Sequence, residues 1–278
     1  METRGFFTNR RGRRLYYAAH GDHGASEAWV FCNPFLEEKV FSHPIYVAFA
    51  REIAREGGFA LRFDYEGDGD SEGNASALSL DEWGDDVEDA CFFARERFNV
   101  ASVSLFGLRL GAAVAWLSGG RIGARRLLLW DPVVNGAAYF QDCLRVNLTT
   151  QLATHRRIVE NREQLMQRLD LGETINLAGY EVGTRMAESI TRIDLSDTEH
   201  GPQCPTRVIA FVKPSSTTVN REPNPAPLSG SNLHVDLLSV VPFWQESKYY
   251  DPAPQRLIEL SLREVADGGL SSKGALHE

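Results

Sequence analysis

The 278-residue chain has no apolar run approaching the ~20 residues that a membrane-spanning helix needs. Its first residues are broken up by Arg4, Arg10 and Arg11 and lack the apolar centre of a secretory leader, so no membrane span and a cytoplasmic location are expected. Positive charge is also short: 29 Lys and Arg face 38 Asp and Glu, for a net charge of -9, and the basic residues form no single stripe. Such a chain repels nucleic acid, which is excluded as an expected partner. There are only four cysteines, Cys32, Cys91, Cys143 and Cys204, with no Cys-x-x-Cys pair. Neither a disulfide framework nor a zinc site follows, and reduced thiols are expected. No internal repeat is present. The acidic stretch Asp64 to Gly73 lacks the twelve-residue spacing and closing glutamate of a calcium loop, so neither a metal nor another cofactor is expected.

What is present is enough apolar residue, 43% of the chain, to close one large core, with or without an inserted cap. Gly5–Asn9 and Arg13–Ala18 flank Arg10-Arg11-Gly12 and predict an opening hairpin. The runs Ala28–Cys32, Phe59–Phe63, Ser102–Phe106, Arg126–Trp130 and Arg207–Val212 predict strands, and a last strand is expected over about Val235–Val241. Between them, helical spacing falls at Ile45–Glu56, at Leu80–Asn99 with Ser79 as cap, and at Ala112–Leu117; a final helix is expected over about Pro254–Ala266. Strands alternating with helices imply βαβ crossovers and a parallel sheet. Residues 134–201 break that rhythm with charged helical sequence and no good strand, which predicts a cap over the carboxyl ends of the strands.

The segment Gly107-Leu108-Arg109-Leu110-Gly111 joins an apolar strand to an alanine-rich helix. That is the setting of the Gly-x-Ser-x-Gly elbow, with arginine in the place of serine. The order of elements resembles the α/β-hydrolase superfamily over nearly the whole chain. Within it, Asn33-Pro34-Phe35-Leu36-Glu37-Glu38, the run from Arg62 to Ser71, and Gly-Leu-Arg-Leu-Gly are similar to the serine-aminopeptidase-like group, in particular the exosortase-A-system-associated hydrolases. The resemblance implies an α/β fold: a doubly wound, mostly parallel eight-stranded sheet formed by residues 1–133 and 202–266, a helical cap over 134–201, and a disordered tail over 267–278.

In that superfamily catalysis needs an elbow nucleophile, an acid after a late strand and a histidine before the last helix. A guanidinium stays protonated and can neither attack a carbonyl nor serve as a base. Pro242 to Ala253, where the histidine is due, contains none; His234 comes too early, and Lys213-Pro214-Ser215-Ser216 offers no carboxylate at the usual acid position. Asp131, at the tip of the preceding strand, is the alternative acid position. The triad therefore reads as degenerate.

Two roles remain open for Arg109. At the amino end of a helix it can hold a carboxylate, phosphate or sulfate bidentately, or it can pair internally with Asp131 or Asp64. The first reading is a non-catalytic protein binding a small anionic or acyl ligand in a capped pocket, with Arg109, Leu108, Phe35 and Trp244 as its walls. On the resemblance, it acts beside an active paralogue or pathway partner protein in an envelope or exopolysaccharide pathway. The alternative is a hydrolase or acyltransferase on ester, amide or thioester substrates with non-standard catalytic residues, where Asp131, Glu37 or His43 moves protons and a displaced nucleophile such as Cys32 or an activated water attacks. A third reading makes the charged cap a protein-interaction surface.

Overall fold

In the computed structural model the described residues are 1–196, 201–212, 228, 232–245 and 255–270, the last four of these without their side chains. Ten strands are found among them: β1 (Glu2–Thr8), β2 (Arg14–His20), β3 (Glu27–Cys32), β4 (Phe59–Phe63), β5 (Ser102–Leu108), β6 (Leu127–Trp130), β7 (Ile175–Leu177), β8 (Tyr180–Val182), β9 (Thr206–Val212) and β10 (Leu233–Ser239). Eight form one sheet in the order β1-β2-β4-β3-β5-β6-β9-β10. The β1–β2 and β2–β4 pairs are antiparallel and every later pair is parallel. This is the mostly parallel, doubly wound sheet expected.

Burial on both faces explains why the central strands read as unbroken apolar runs. Along β3, Ala28, Val30 and Cys32 enter one core, while Trp29 and Phe31 enter another on the opposite face. The first core is covered by α2 (Leu80–Phe98) and α3 (Leu110–Ile122); the second is covered by α1 (Glu37–Arg55) and α7 (Gln255–Leu270). Ser79 caps α2 as expected: its N–H donates to the Glu82 carboxylate at 2.9 Å, closing the first turn.

Three boundaries differ from the sequence expectations. Helix α1 begins eight residues before Ile45, at Glu37, because Pro44 is accommodated inside it rather than marking its start. The described part of residues 134–201 holds three helices, α4 (Gly136–His155), α5 (Arg162–Asp170) and α6 (Thr184–Thr191), but also the antiparallel hairpin β7–β8 where no strand was expected. Three-residue strands leave too short a pattern to read. Helix α7 runs to Leu270, into the stretch expected as tail; residues 271–278 lie outside the described ones.

Candidate functional site at the elbow

Arg109 is the single residue between β5 and α3, with φ 55° and ψ -118°. Non-glycine residues pay roughly 1–3 kcal/mol for such backbone angles. Two glycines force the geometry. A Cβ at Gly107 would lie 2.4 Å from the Gly111 carbonyl oxygen, and one at Gly111 would lie 2.3 Å from that of Cys32. The turn is therefore closed against β3, which is why the glycine pair flanks it. The Arg109 N–H donates to the Trp130 carbonyl at 2.9 Å, and its own carbonyl accepts from Ala112, Ala113 and Val133.

The guanidinium sits between two carboxylates. Nη1 donates to Asp131 Oδ2 at 2.9 Å, and Nε to Glu38 Oε1 at 3.4 Å. Asp131 follows β6 with φ 44°, and its Oδ1 accepts from the Phe211 N–H at 3.3 Å. Glu38 lies in the first turn of α1, where the helix dipole favours an acid, and accepts from the Tyr139 hydroxyl at 2.9 Å. The guanidinium carbon is 5.5 Å from the Tyr139 ring centre and 5.7 Å from that of Trp244. The three charged side chains keep only 21% (Arg109), 17% (Glu38) and 25% (Asp131) of their surface exposed, so their pairing is felt more strongly than at a surface.

Burial raises the Glu38 carboxyl above the usual carboxylate range, with Arg109 opposing. For Arg109, burial pulls the guanidinium down, but Glu38 and Asp131 outweigh it and the net shift is upward. A permanently charged arginine clasped by two acids results. It has no nucleophilic lone pair to offer.

Of the residues singled out in the sequence, Asp131 and Trp244 come to Arg109. Asp64 does not; its Oδ1 is 2.7 Å from Lys39 Nζ. Glu37 lies in the same helical turn as Glu38, yet Glu38 is the one in contact with Arg109. His43 lies further along α1 and lines a separate cavity with Arg62. Leu108 is fully buried in the core under α1, and Phe35 packs edge-on against Trp83 at 5.8 Å. Cys32 is buried, and burial pushes its thiol up to about 12, so it is not a thiolate near neutral pH. His234 is the second residue of β10, 69% exposed and 3.3 Å from Asp236, at the amino end of the sheet. The expected acid position after Val212 and most of the stretch due to carry the histidine lie outside the described residues.

Sequence reading missed Tyr139 and chose Glu37 where Glu38 reaches the guanidinium. Tyr139 comes from α4, 30 positions after the elbow, and no local pattern announces it. Adjacent glutamates on a helix point about 100° apart, and only the docking angle of α1 decides which one meets the elbow.

No family model and no curated protein matches the chain. Solved structures do. The ferulic acid complex of Est1E from Butyrivibrio proteoclasticus superposes with a TM-score of 0.62 at 13% identity, covering 96% of this chain and 98% of that one. The α/β-hydrolase GrgF from Penicillium sp. sh18 gives 0.61 at 12% identity over 96% and 97%. XC6422 from Xanthomonas campestris, described as an α/β serine hydrolase without lid, gives 0.52 at 12% identity over 100% and 97%. At these identities the likeness speaks for architecture alone, and the chain has the α/β-hydrolase fold.

Proposed function

We propose that the chain is a non-catalytic protein on a hydrolase scaffold that binds a small anionic or acyl ligand at the elbow. The observation that carries this reading is the Arg109 guanidinium in the nucleophile's place, paired with Asp131 and Glu38. Acyl transfer develops negative charge on an oxygen beside the nucleophile and needs donors there. Here the Glu38 carboxylate, already turned toward position 109, opposes such charge.

The same arrangement says how an anion enters. Asp131 is held at 2.9 Å and is also tied to the Phe211 N–H; Glu38 makes the longer contact and has its carboxyl raised by burial. A ligand carboxylate exchanges with Glu38, which takes a proton from solvent and keeps its bond to Tyr139. Trp244 and Tyr139 supply flat walls for the ligand's body. A role beside an active paralogue in an envelope or exopolysaccharide pathway rests on the sequence resemblance to exosortase-associated hydrolases.

Activity-based labelling with a fluorophosphonate and turnover of p-nitrophenyl esters of several chain lengths test the first half. Both are expected to fail, in the wild type and in Arg109→Ser. Titration with straight-chain carboxylic acids tests the second half, with calorimetry in two buffers of different ionisation enthalpy reading proton uptake. Binding with proton uptake that disappears in Arg109→Gln supports the proposal; wild-type ester turnover, or binding indifferent to Arg109, overturns it.

A further inference from the structure

A cavity of about 480 Å³ lies away from the elbow, between α1 and the β1-β2-β4 edge of the sheet. Its volume suits a small organic molecule. Arg62 of β4 lines it, together with Arg4 of β1, Arg51 and His43 of α1, and Lys39. The charges in it are unevenly satisfied. Lys39 is held by Asp64 at 2.7 Å and Asp68 at 2.8 Å. Glu2 is shared by Arg4 at 2.5 Å and Arg51 at 3.2 Å.

Arg62 stands apart. Among the described residues no carboxylate lies within 4 Å of its guanidinium, and its Nε donates to His20 Nε2 at 3.3 Å. Burial, then the Arg62 charge, holds the His20 imidazole at about 4, so at neutral pH it accepts that bond without a charge to offer. Glu2 and Asp64 act on Arg62 from beyond contact distance, so this half-buried guanidinium at a cavity has a neutral acceptor and no carboxylate in direct contact. Burial draws the Arg62 guanidinium down, whereas Arg109, between its two carboxylates, moves upward.

We infer that this cavity is a binding site for the oxyanion head, carboxylate or phosphate, of a small organic molecule, held in the fork of the Arg62 guanidinium with Arg51 and Arg4 at its mouth. The guanidinium plane matches either head bidentately. Val47 and Tyr46 of α1, on the same wall, give the body of the molecule an apolar surface. Glu2, Asp64 and Asp70 also line the cavity and limit the charge the site accepts, so a singly charged head is favoured over a multiply charged one. The site is independent of the elbow: Arg109 does not line it.

The test is titration of the wild-type protein with benzoate and with inorganic phosphate at constant ionic strength, chloride being the balancing anion. Binding is read by calorimetry and by the Arg Nε–H signals in nitrogen-15 spectra. Saturable millimolar binding of at least one probe is expected, with the Arg62 signal moving; any shift of the Arg109 signal reports the elbow separately. With the elbow site removed by Arg109→Gln, adding Arg62→Gln should weaken the remaining binding about 10-fold or more, the loss of a charge-assisted contact. The inference is overturned if neither probe saturates, if adding Arg62→Gln to Arg109→Gln leaves the binding unchanged, or if only the Arg109 signal moves. Should Arg62→Gln fail to fold, the wild-type spectra decide alone. Tighter benzoate than phosphate binding identifies the carboxylate as the natural head, and the reverse order the phosphate.

Discussion

Replacing Arg109 by serine restores the residue type that the elbow carries in serine hydrolases, and it should weaken the protein rather than awaken it. The substitution leaves Glu38 and Asp131 facing each other across the space the guanidinium filled, with 17% and 25% of their side chains exposed. Removing one partner of a fully buried ion pair destabilises by roughly 3–5 kcal/mol, and partial exposure brings the expectation here to about 2–3 kcal/mol. For a domain of this size that is a fall in melting temperature of about 4–10 °C. The loss should also depend on pH. Glu38 already has a raised carboxyl in the presence of Arg109, and without that cation its proton is held more firmly still. An acid whose folded pKa lies above its unfolded value leaves stability intact below the unfolded pKa and removes it as pH rises through the folded one. The gap between wild type and Arg109→Ser should therefore be small near pH 4.5 and widen toward pH 8, and Glu38→Gln added to Arg109→Ser should recover much of it. Denaturant unfolding at several pH values measures this. An Arg109→Ser protein as stable as wild type at pH 8, or a gap that Glu38→Gln does not narrow, refutes the reasoning.

Other expectations are quickly checked. Gly111→Ala should cost more than about 3 kcal/mol and abolish soluble expression, because the new methyl would lie 2.3 Å from a strand carbonyl. Gly120→Ala, in the same helix with open space around it, should be neutral or stabilise by about 0.5–1 kcal/mol; equal behaviour of the two variants in thermal melts would contradict the packing described. Buried Asp86, whose carboxyl burial pushes up to about 6, accepts from Asn9, Arg11 and the Glu66 N–H. Its contribution to stability is greatest below the ordinary aspartate range and is lost as pH rises through 6, so its carbon-13 carboxyl resonance should titrate near 6 rather than 4. Alkylation of the native protein with iodoacetamide should reach Cys204 first and leave Cys32 and Cys91 untouched until unfolding, since those two are buried and their thiols are pushed far up.

The sheet was legible because its signals are local. Apolar runs such as Leu127–Trp130 sit at regular distances from helical stretches, and Gly107 and Gly111 mark a junction where backbone meets backbone. The start of α1 was not legible, since Pro44 ordinarily reads as a boundary and only the packing of Tyr46, Phe49 and Ile53 under the sheet carries the helix past it. The site was half legible. Position 109 and its partner Asp131 end neighbouring parallel strands, so their meeting follows from strand order alone. Tyr139 and Glu38 meet across 101 positions through a single hydrogen bond from α4 to the first turn of α1, which no periodicity encodes. The setting of Arg62, with no carboxylate in direct contact, was equally hidden, because its neighbours come from two strands and a helix far apart in the chain.

The clasp formed by Gly107, Gly111 and the end of β3 shapes the main chain at 109 without help from whatever side chain projects there. Any L-residue placed at that point bears the same torsional load, hydroxyl or guanidinium alike. The framework thus works as a socket: its fittings are interchangeable, and an architecture shared with a serine hydrolase carries no guarantee of the tool it holds.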